Sequence, residues 1–321
     1  MEMKLVVLDG YTLNPGDLDW NVLGNFGPIT VYPITKDEEI VERIGDADIV
    51  FTNKTPITEA VLEQCPNIRY VGEMATGFDN LDLEALRAHG VAVANVPDYG
   101  GIAVAQHTMA LLLELANRTM WNHQRVINGE WTGNTIPARG AWQMEMTELS
   151  GKTIGFVGFG TIAIYAARMA RAFGMRTLGY SRTERAEGRE VAEYVDLDTL
   201  LRESDVVSLH MPLNDASRNI MNRETFAKMK KGAFLINTAR GALVDEEALV
   251  EALDNGTVAG FATDVLVEEP FNMAHPLMGR EDVVLTPHIA WGPQATRARL
   301  LQICADNLEA FLKGTSLNRL V

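Results

Sequence analysis

The chain has 321 residues, 47% of them hydrophobic and 22% charged, with a formal net charge of -15. That length suits two domains of roughly 100–200 residues, and that composition excludes a disordered chain. The acidic balance argues against a surface that tracks nucleic-acid phosphates, so no nucleic-acid partner is expected, and any anionic ligand must be met by a local cationic pocket.

Taken in chain order, short apolar runs rich in β-branched residues alternate with helical patterns, the mark of parallel sheets with crossover helices. In the first hundred residues the candidate strands are Lys4–Leu8, Ile29–Tyr32, Ile49–Phe51, Tyr70–Val71 and Val91–Ala94. Helical stretches Lys36–Ile44, Thr58–Gln64 and Asp82–Ala88 lie between them, and a long helix begins near Ile102. A second series follows: Thr153–Val157, Arg176–Tyr180, Val206–Leu209, Ala233–Ile236, Ala259–Thr263 and Val283–Leu285. Its near-continuous apolar character predicts strands buried on both faces. A last helix runs from about Pro293 to Leu312. The expected fold class is α/β, with two doubly wound parallel-sheet domains.

Cys65 and Cys304 are the only cysteines, which implies no disulfide framework and favours free buried thiols. The start, MEMKLVVLDG, reads as a strand rather than a signal peptide. Ile102–Ala116 carries Gln106, His107 and Glu114 and is too short and too polar to span a bilayer. The expectation is a cytoplasmic protein with no membrane partner. No His/Cys cluster has metal-ligand spacing, so no metal is expected.

The segment TIGFVGFGTIAIYAARMA places Gly158, Phe159, Gly160, Thr161, Ile162 and Ala163 after a strand and at the mouth of a helix, in the pattern G-x-G-x-x-A. Gly158 makes the tight turn, Gly160 lets the backbone approach a pyrophosphate, and Ala163 allows close helix–strand packing. The anion then rests on free amides at the helix N-terminus. The acidic residue expected about 20 positions on, which takes the ribose hydroxyls of NAD, is missing. Ser181 and Arg182 stand there, and an arginine accommodates a 2′-phosphate, so NADP is expected at least as readily as NAD.

Three later segments carry acid–base chemistry: INTARGALVDEEAL with Arg240, TDVLVEEPF with Glu269, and TPHIAW with His288. All lie at or beyond carboxyl ends of strands, where ligands of doubly wound folds bind. Reducing a keto acid needs a cation for the carboxylate and carbonyl, a proton donor for the developing alkoxide, and a group that keeps the donor charged.

Along essentially its whole length the chain resembles the D-isomer-specific 2-hydroxyacid dehydrogenases. The resemblance implies a Rossmann cofactor domain, residues 101–291, inserted into a flavodoxin-like substrate domain made of residues 1–100 and 292–321, with a cleft that closes over the ligands. It implies that Arg240 orients the substrate carboxylate and polarises the carbonyl. His288 is then the general acid in reduction, and Glu269 pairs with it and favours its protonated form. Asp264 contacts the nicotinamide side, with Ala290 nearby, while Thr238 and Ala239 line the cofactor cleft. His210 and Pro212, in SLHMPL, match the loop near the cofactor, and Val104, in VAQHT, abuts the nicotinamide ring. Ala75, Thr76 and Gly77 match the loop whose backbone amides hold the substrate carboxylate. A homodimer is usual in the family. His89, His107, His123 and His275 lack such context and read as structural or exposed.

Two departures stand out. Thr161 replaces a common arginine, so the pyrophosphate loses a cationic contact, and Tyr99-Gly100-Gly101-Ile102-Ala103 replaces a run with Ser and Thr. LDGYTLNPGDLDW and TPHIAW resemble the glycerate dehydrogenase (hydroxypyruvate reductase) branch. This implies hydroxypyruvate or glyoxylate as substrate, with glycerate or glycolate as product. Trp291 and Trp142 are candidate walls of a small pocket, Trp142 reaching in from a partner subunit; core packing is the alternative for both. Glu269 speaks against a formate dehydrogenase, which carries Gln there, and a phosphoglycerate dehydrogenase is not expected either, because it would normally bring an appended regulatory domain and the sequence ends at Val321 soon after its closing helix. The alternative from another class is a dinucleotide-sensing corepressor-like binding protein on the same fold.

Overall fold

The computed structural model describes residues 3–131, 146–270 and 272–321. The chain divides into two compact units, Met1–Gly100 with Gly292–Val321, and Gly101–Trp291.

The first unit is built on strands β1 (Leu5–Val7), β2 (Ile29–Val31), β3 (Ile49–Thr52), β4 (Tyr70–Glu73) and β5 (Ala92–Ala94). They form one parallel sheet in the order β2-β1-β3-β4-β5. Every residue of β1, β3, β4 and β5 is buried, as near-continuous apolar runs require, whereas the edge strand β2 is only partly covered. On one face Ile40, Ile44, Val61, Leu62 and Leu86 from three short helices pack on Val6, Val50 and Val71. The helix Gln294–Leu312 lies against β4, where Phe311 and Tyr70 approach to 5.0 Å between ring centroids. Its first turn is tied back to the beginning of the chain by a two-bond fork from Arg297 to Asp17, both contacts at 2.7 Å. The stretch expected to be a single helix, Lys36–Ile44, is a 3-10 turn at Asp37–Glu39 followed by a helix at Ile40–Ile44. The Glu39 carboxylate accepts from the Lys36 amide and so fixes that start.

The second unit holds β6 (Thr153–Val157), β7 (Arg176–Tyr180), β8 (Glu193–Tyr194), β9 (Val206–Leu209), β10 (Ala233–Asn237), β11 (Val258–Thr263) and β12 (Val283–Leu285). All are parallel, in the order β12-β11-β10-β9-β6-β7-β8. Each strand expected from the sequence is present, and β8, two residues long at the sheet edge, is added. One face is covered by helices Gly101–Asn117 and Thr161–Ala172, which bury Ala105, Met109, Leu112, Ala163 and Ala167 with Ile154 and Phe156. Helices Leu197–Glu203, Arg223–Lys228 and Glu246–Asp254 cover the other. From β6 the chain runs outward to β7 and β8, then returns to β9 on the other side. That reversal opens a crevice at the carboxyl ends of β6 and β9, where open sheets of this kind bind ligands.

Candidate active site

The fingerprint turn sits at that reversal. Gly158 has φ +89°, and a Cβ there would lie 2.7 Å from the His210 carbonyl carbon and from Met211 Cβ, so only glycine lets the β6 and β9 loops meet. Gly158 and His210, singled out separately in the sequence, are thereby brought together. Phe159 is buried, with Gly179 packed against its ring. Gly160, by contrast, faces open space, and no side chain caps the twelve-residue helix Thr161–Ala172 that follows. Its first amides are thus left for an anion, and Ala163 is fully buried against the sheet. These residues fit a dinucleotide pyrophosphate. Thr161 also has a partner that sequence reasoning missed: Arg185 Nη1 donates to Thr161 Oγ1 at 3.1 Å. A cation therefore does stand at this helix start, supplied from 24 residues away. Ser181 and Arg182 follow directly on β7; Arg182 is exposed and has no carboxylate partner among the described residues.

His210 Nε2 is 2.8 Å from Ser208 Oγ, and burial pushes the imidazole pKa down to about 3, so the ring is neutral. Pro212 begins the exposed part of the same loop and is anchored through its carbonyl by Ser217 Oγ at 2.7 Å.

The strand ends of β10, β11 and β12 carry the acid–base groups. Asn237, at the end of β10, accepts from the Ala239 amide at 3.0 Å and donates to the Arg240 carbonyl at 2.9 Å, which folds the Thr238-Ala239-Arg240 loop. An Asx residue closing a strand is a turn signal that could have singled it out. Arg240 is half-buried; its guanidinium donates to the Ala239 carbonyl at 2.9 Å and makes no ion pair among the described residues. A Cβ on Gly241 would fall 2.0 Å from the Leu266 carbonyl carbon, so the arginine loop is pressed onto the loop that carries Glu269. Glu269 accepts from the Leu266 amide at 3.1 Å, and its other oxygen lies 2.7 Å from His288 Nδ1. His288 and Glu269 are about one-third exposed, at 33% and 34%. His288 adopts φ +55°, and its loop is held by Asp264, which is 1% exposed. The two Asp264 oxygens accept from the amides of Ile289 at 2.9 Å and Ala290 at 2.8 Å. Trp291 Nε1 donates to the His288 carbonyl at 3.1 Å, and Trp142 lies outside the described residues. Val104 is half-buried on the helix Gly101–Asn117, one turn before Thr108.

In the first unit, Ala75, Thr76 and Gly77 leave β4 as a loop pinned by four bonds. Thr76 Oγ1 donates to the Val96 carbonyl, the Val96 amide donates to the Ala75 carbonyl, Asn95 Nδ2 donates to the Thr76 carbonyl, and Asn307 Nδ2 donates to the Asn95 carbonyl, at 2.7 to 2.9 Å. The Thr76 and Gly77 amides have no acceptor among the described residues. Two neighbouring unpaired amides on a braced loop are suited to a carboxylate.

A pyrophosphate cradle at the sheet reversal, and a carboxylate-backed imidazole with an unneutralised guanidinium at neighbouring strand ends, are the equipment of dinucleotide-dependent dehydrogenases. Comparison narrows that class. The family model described as "D-isomer specific 2-hydroxyacid dehydrogenase, NAD binding domain" matches residues 109–290. The chain is 45% identical to a hydroxypyruvate reductase of Blautia hydrogenotrophica over 320 residues, covering 98% of this chain and 99% of that one. It is 41% identical to a glyoxylate reductase of Aeropyrum pernix over 283 residues, covering 86% and 83%. The crystal structure of the TT0316 protein from Thermus thermophilus superposes with a TM-score of 0.88 at 32% identity, covering 99% of this chain and 100% of that one. The chain belongs to the D-isomer specific 2-hydroxyacid dehydrogenase family. It is an oxidoreductase that interconverts a 2-keto acid and a 2-hydroxy acid with a nicotinamide dinucleotide. The corepressor reading is not favoured, since the matched relatives are named as enzymes. Among the described residues, no helix is long and apolar enough to cross a membrane.

Proposed function

We propose that this enzyme reduces hydroxypyruvate or glyoxylate to D-glycerate or glycolate, with Arg240, Glu269 and His288 as its catalytic residues. In this reading residues 101–291 hold the cofactor, and residues 1–100 with 292–321 bear the substrate loop, in a cytoplasmic homodimer. When bound, the nicotinamide supplies the hydride. The Arg240 guanidinium binds the substrate carboxylate and polarises the carbonyl. In the first unit, the loop of Ala75, Thr76 and Gly77 is the further carboxylate-binding element, through its backbone amides. His288 donates the proton from Nε2 to the oxygen that becomes the hydroxyl. Glu269 stabilises the imidazolium through Nδ1, which orients the ring and leaves Nε2 for the substrate.

The observation that carries this reading is the 2.7 Å contact between His288 and Glu269, on a loop pressed against that of Arg240. The names of the relatives point to the two small acids. For the cofactor, Val104, Gly158, Phe159, Gly160, Thr161, Ile162, His210, Pro212, Thr238, Ala239, Asp264 and Ala290 line the dinucleotide site. Ser181 and Arg182 favour NADP, because neither brings a carboxylate to oppose a 2′-phosphate and the Arg182 guanidinium can pair with one. The test is initial-rate oxidation of NADPH and NADH with hydroxypyruvate, glyoxylate, pyruvate and a branched 2-keto acid. Fast turnover of the first two, with NADPH preferred, is expected. Turnover of only the branched acid overturns the substrate assignment, and a strong preference for NADH overturns the cofactor assignment.

A further inference from the structure

His107 and Thr108 follow one another on the helix Gly101–Asn117, and each reaches a different strand end. Thr108 Oγ1 donates to the Val104 carbonyl at 2.9 Å, so its single proton is committed. Thr238 Oγ1, 3.0 Å away, must therefore donate to it. Thr238 precedes Arg240 by two residues. On the next residue, His107 Nε2 lies 3.0 Å from Thr286 Oγ1, and the Thr286 proton goes to Asp264 Oδ1 at 2.5 Å. The imidazole must then supply an Nε2 proton, and that nitrogen stands 3.6 Å from Asp264 Oδ1. Thr286 precedes His288 by two residues. The same Asp264 carboxylate holds the amides of Ile289 and Ala290 directly after it. One turn of one helix thus grips the arginine strand end through Thr108 and the histidine strand end through His107.

We propose that His107 and Thr108 are positioning residues that set the spacing between Arg240 and His288 and the backbone angle of His288 during keto-acid reduction. This rests on the catalytic assignment made above. In this chain of bonds the Thr108 proton goes to the Val104 carbonyl and the Thr286 proton to Asp264, with the Thr263 carbonyl a longer second acceptor for Thr286 at 3.4 Å, and removing either helix donor or acceptor leaves a partner unsatisfied. Misplacing a reacting group by about 1 Å costs on the order of a hundredfold in rate. Loss of the clasp should therefore appear more strongly in kcat than in dinucleotide affinity, which it reaches only through Thr238, Asp264 and Ala290.

The experiment compares His107→Phe with His107→Gln, whose amide restores a donor at similar reach, and Thr108→Val with Thr108→Ser, which restores the hydroxyl. Expected is a fall in kcat of about ten- to a hundredfold for the Phe and Val variants. Dinucleotide Kd should change by less than kcat does, and the Gln and Ser variants should recover most of the rate. In the cofactor-free protein, hydrogen exchange of the Ile289 and Ala290 amides should quicken in His107→Phe and return in His107→Gln. The clasp is overturned if the Phe and Val variants keep wild-type kcat, or if Gln and Ser fail as badly as Phe and Val while dinucleotide binding is intact. His288→Asn run alongside separates the two ideas: wild-type activity there removes the catalytic assignment, whereas an inactive His288→Asn beside fully active clasp variants removes the clasp alone.

Discussion

Glu73 is fully buried at the end of β4, two residues before the Ala75-Thr76-Gly77 loop. Asn80 Nδ2 donates to one of its oxygens at 3.0 Å, and the other has no partner. Burial pushes its pKa from the ordinary value near 4.5 up to about 9, so the folded protein holds this carboxyl protonated at neutral pH. Below about pH 4.5 both folded and unfolded chains carry the proton, and Glu73 has no pH-linked effect. Above it the unfolded chain releases the proton while the fold retains it, so stability falls with rising pH until the folded group ionises near 9. At 1.36 kcal/mol per unit, the cost is about 1 kcal/mol near pH 5 and about 4 kcal/mol near pH 7.5. Glu73→Gln keeps an acceptor for Asn80 and removes the titration. Its stability gain over wild type, measured by equilibrium urea unfolding, should grow by roughly 3 kcal/mol between about pH 5 and pH 7.5. An equal gain at both pH values, or a variant less stable at pH 7.5, refutes the argument.

Gly158→Ala places a Cβ 2.7 Å from the β9 loop at φ +89°, so dinucleotide affinity measured by fluorescence titration should fall at least about a hundredfold. Arg182→Ala should lower the ratio of kcat/KM for NADPH over NADH by about tenfold, the worth of one charge-assisted bond. An unchanged ratio would assign 2′-phosphate recognition elsewhere. Gly241→Ala puts a Cβ 2.0 Å from the Leu266 carbonyl carbon and drives the Arg240 loop off the Glu269 loop. Steady-state kinetics should show kcat/KM down by about a hundredfold, and a variant near wild type would show that the contact is not needed.

Much of this was legible from residue order. Strands buried on both faces are apolar throughout, so Ile154–Val157 and Val206–Leu209 announce a parallel sheet without any alternation to read. The G-x-G-x-x-A turn is legible from its place between strand and helix, and Arg240, Glu269 and His288 are legible as polar residues at or beyond strand ends, while the roles proposed for those three rest on the family resemblance. What was not legible depends on folding. β8 is a two-residue edge strand with too little sequence to carry a period. Arg185 stands in no motif of the sequence and is brought to Thr161 only by the fold, and His107 reads as structural or exposed until Thr286, 179 residues on, arrives beside it. The 3-10 break at Asp37–Glu39 is hidden for a similar reason, since three acidic residues suit the start of either helix type.

The measurement that bears most directly on the central claim is the kinetics of hydroxypyruvate reduction by His288→Asn, with dinucleotide affinity measured on the same protein. The account predicts kcat lower by about two to four orders of magnitude with dinucleotide Kd unchanged, because the proton donor is lost and the cradle at Gly158–Gly160 is not. Turnover within about threefold of wild type would contradict it, since the proton would then come from a group other than His288.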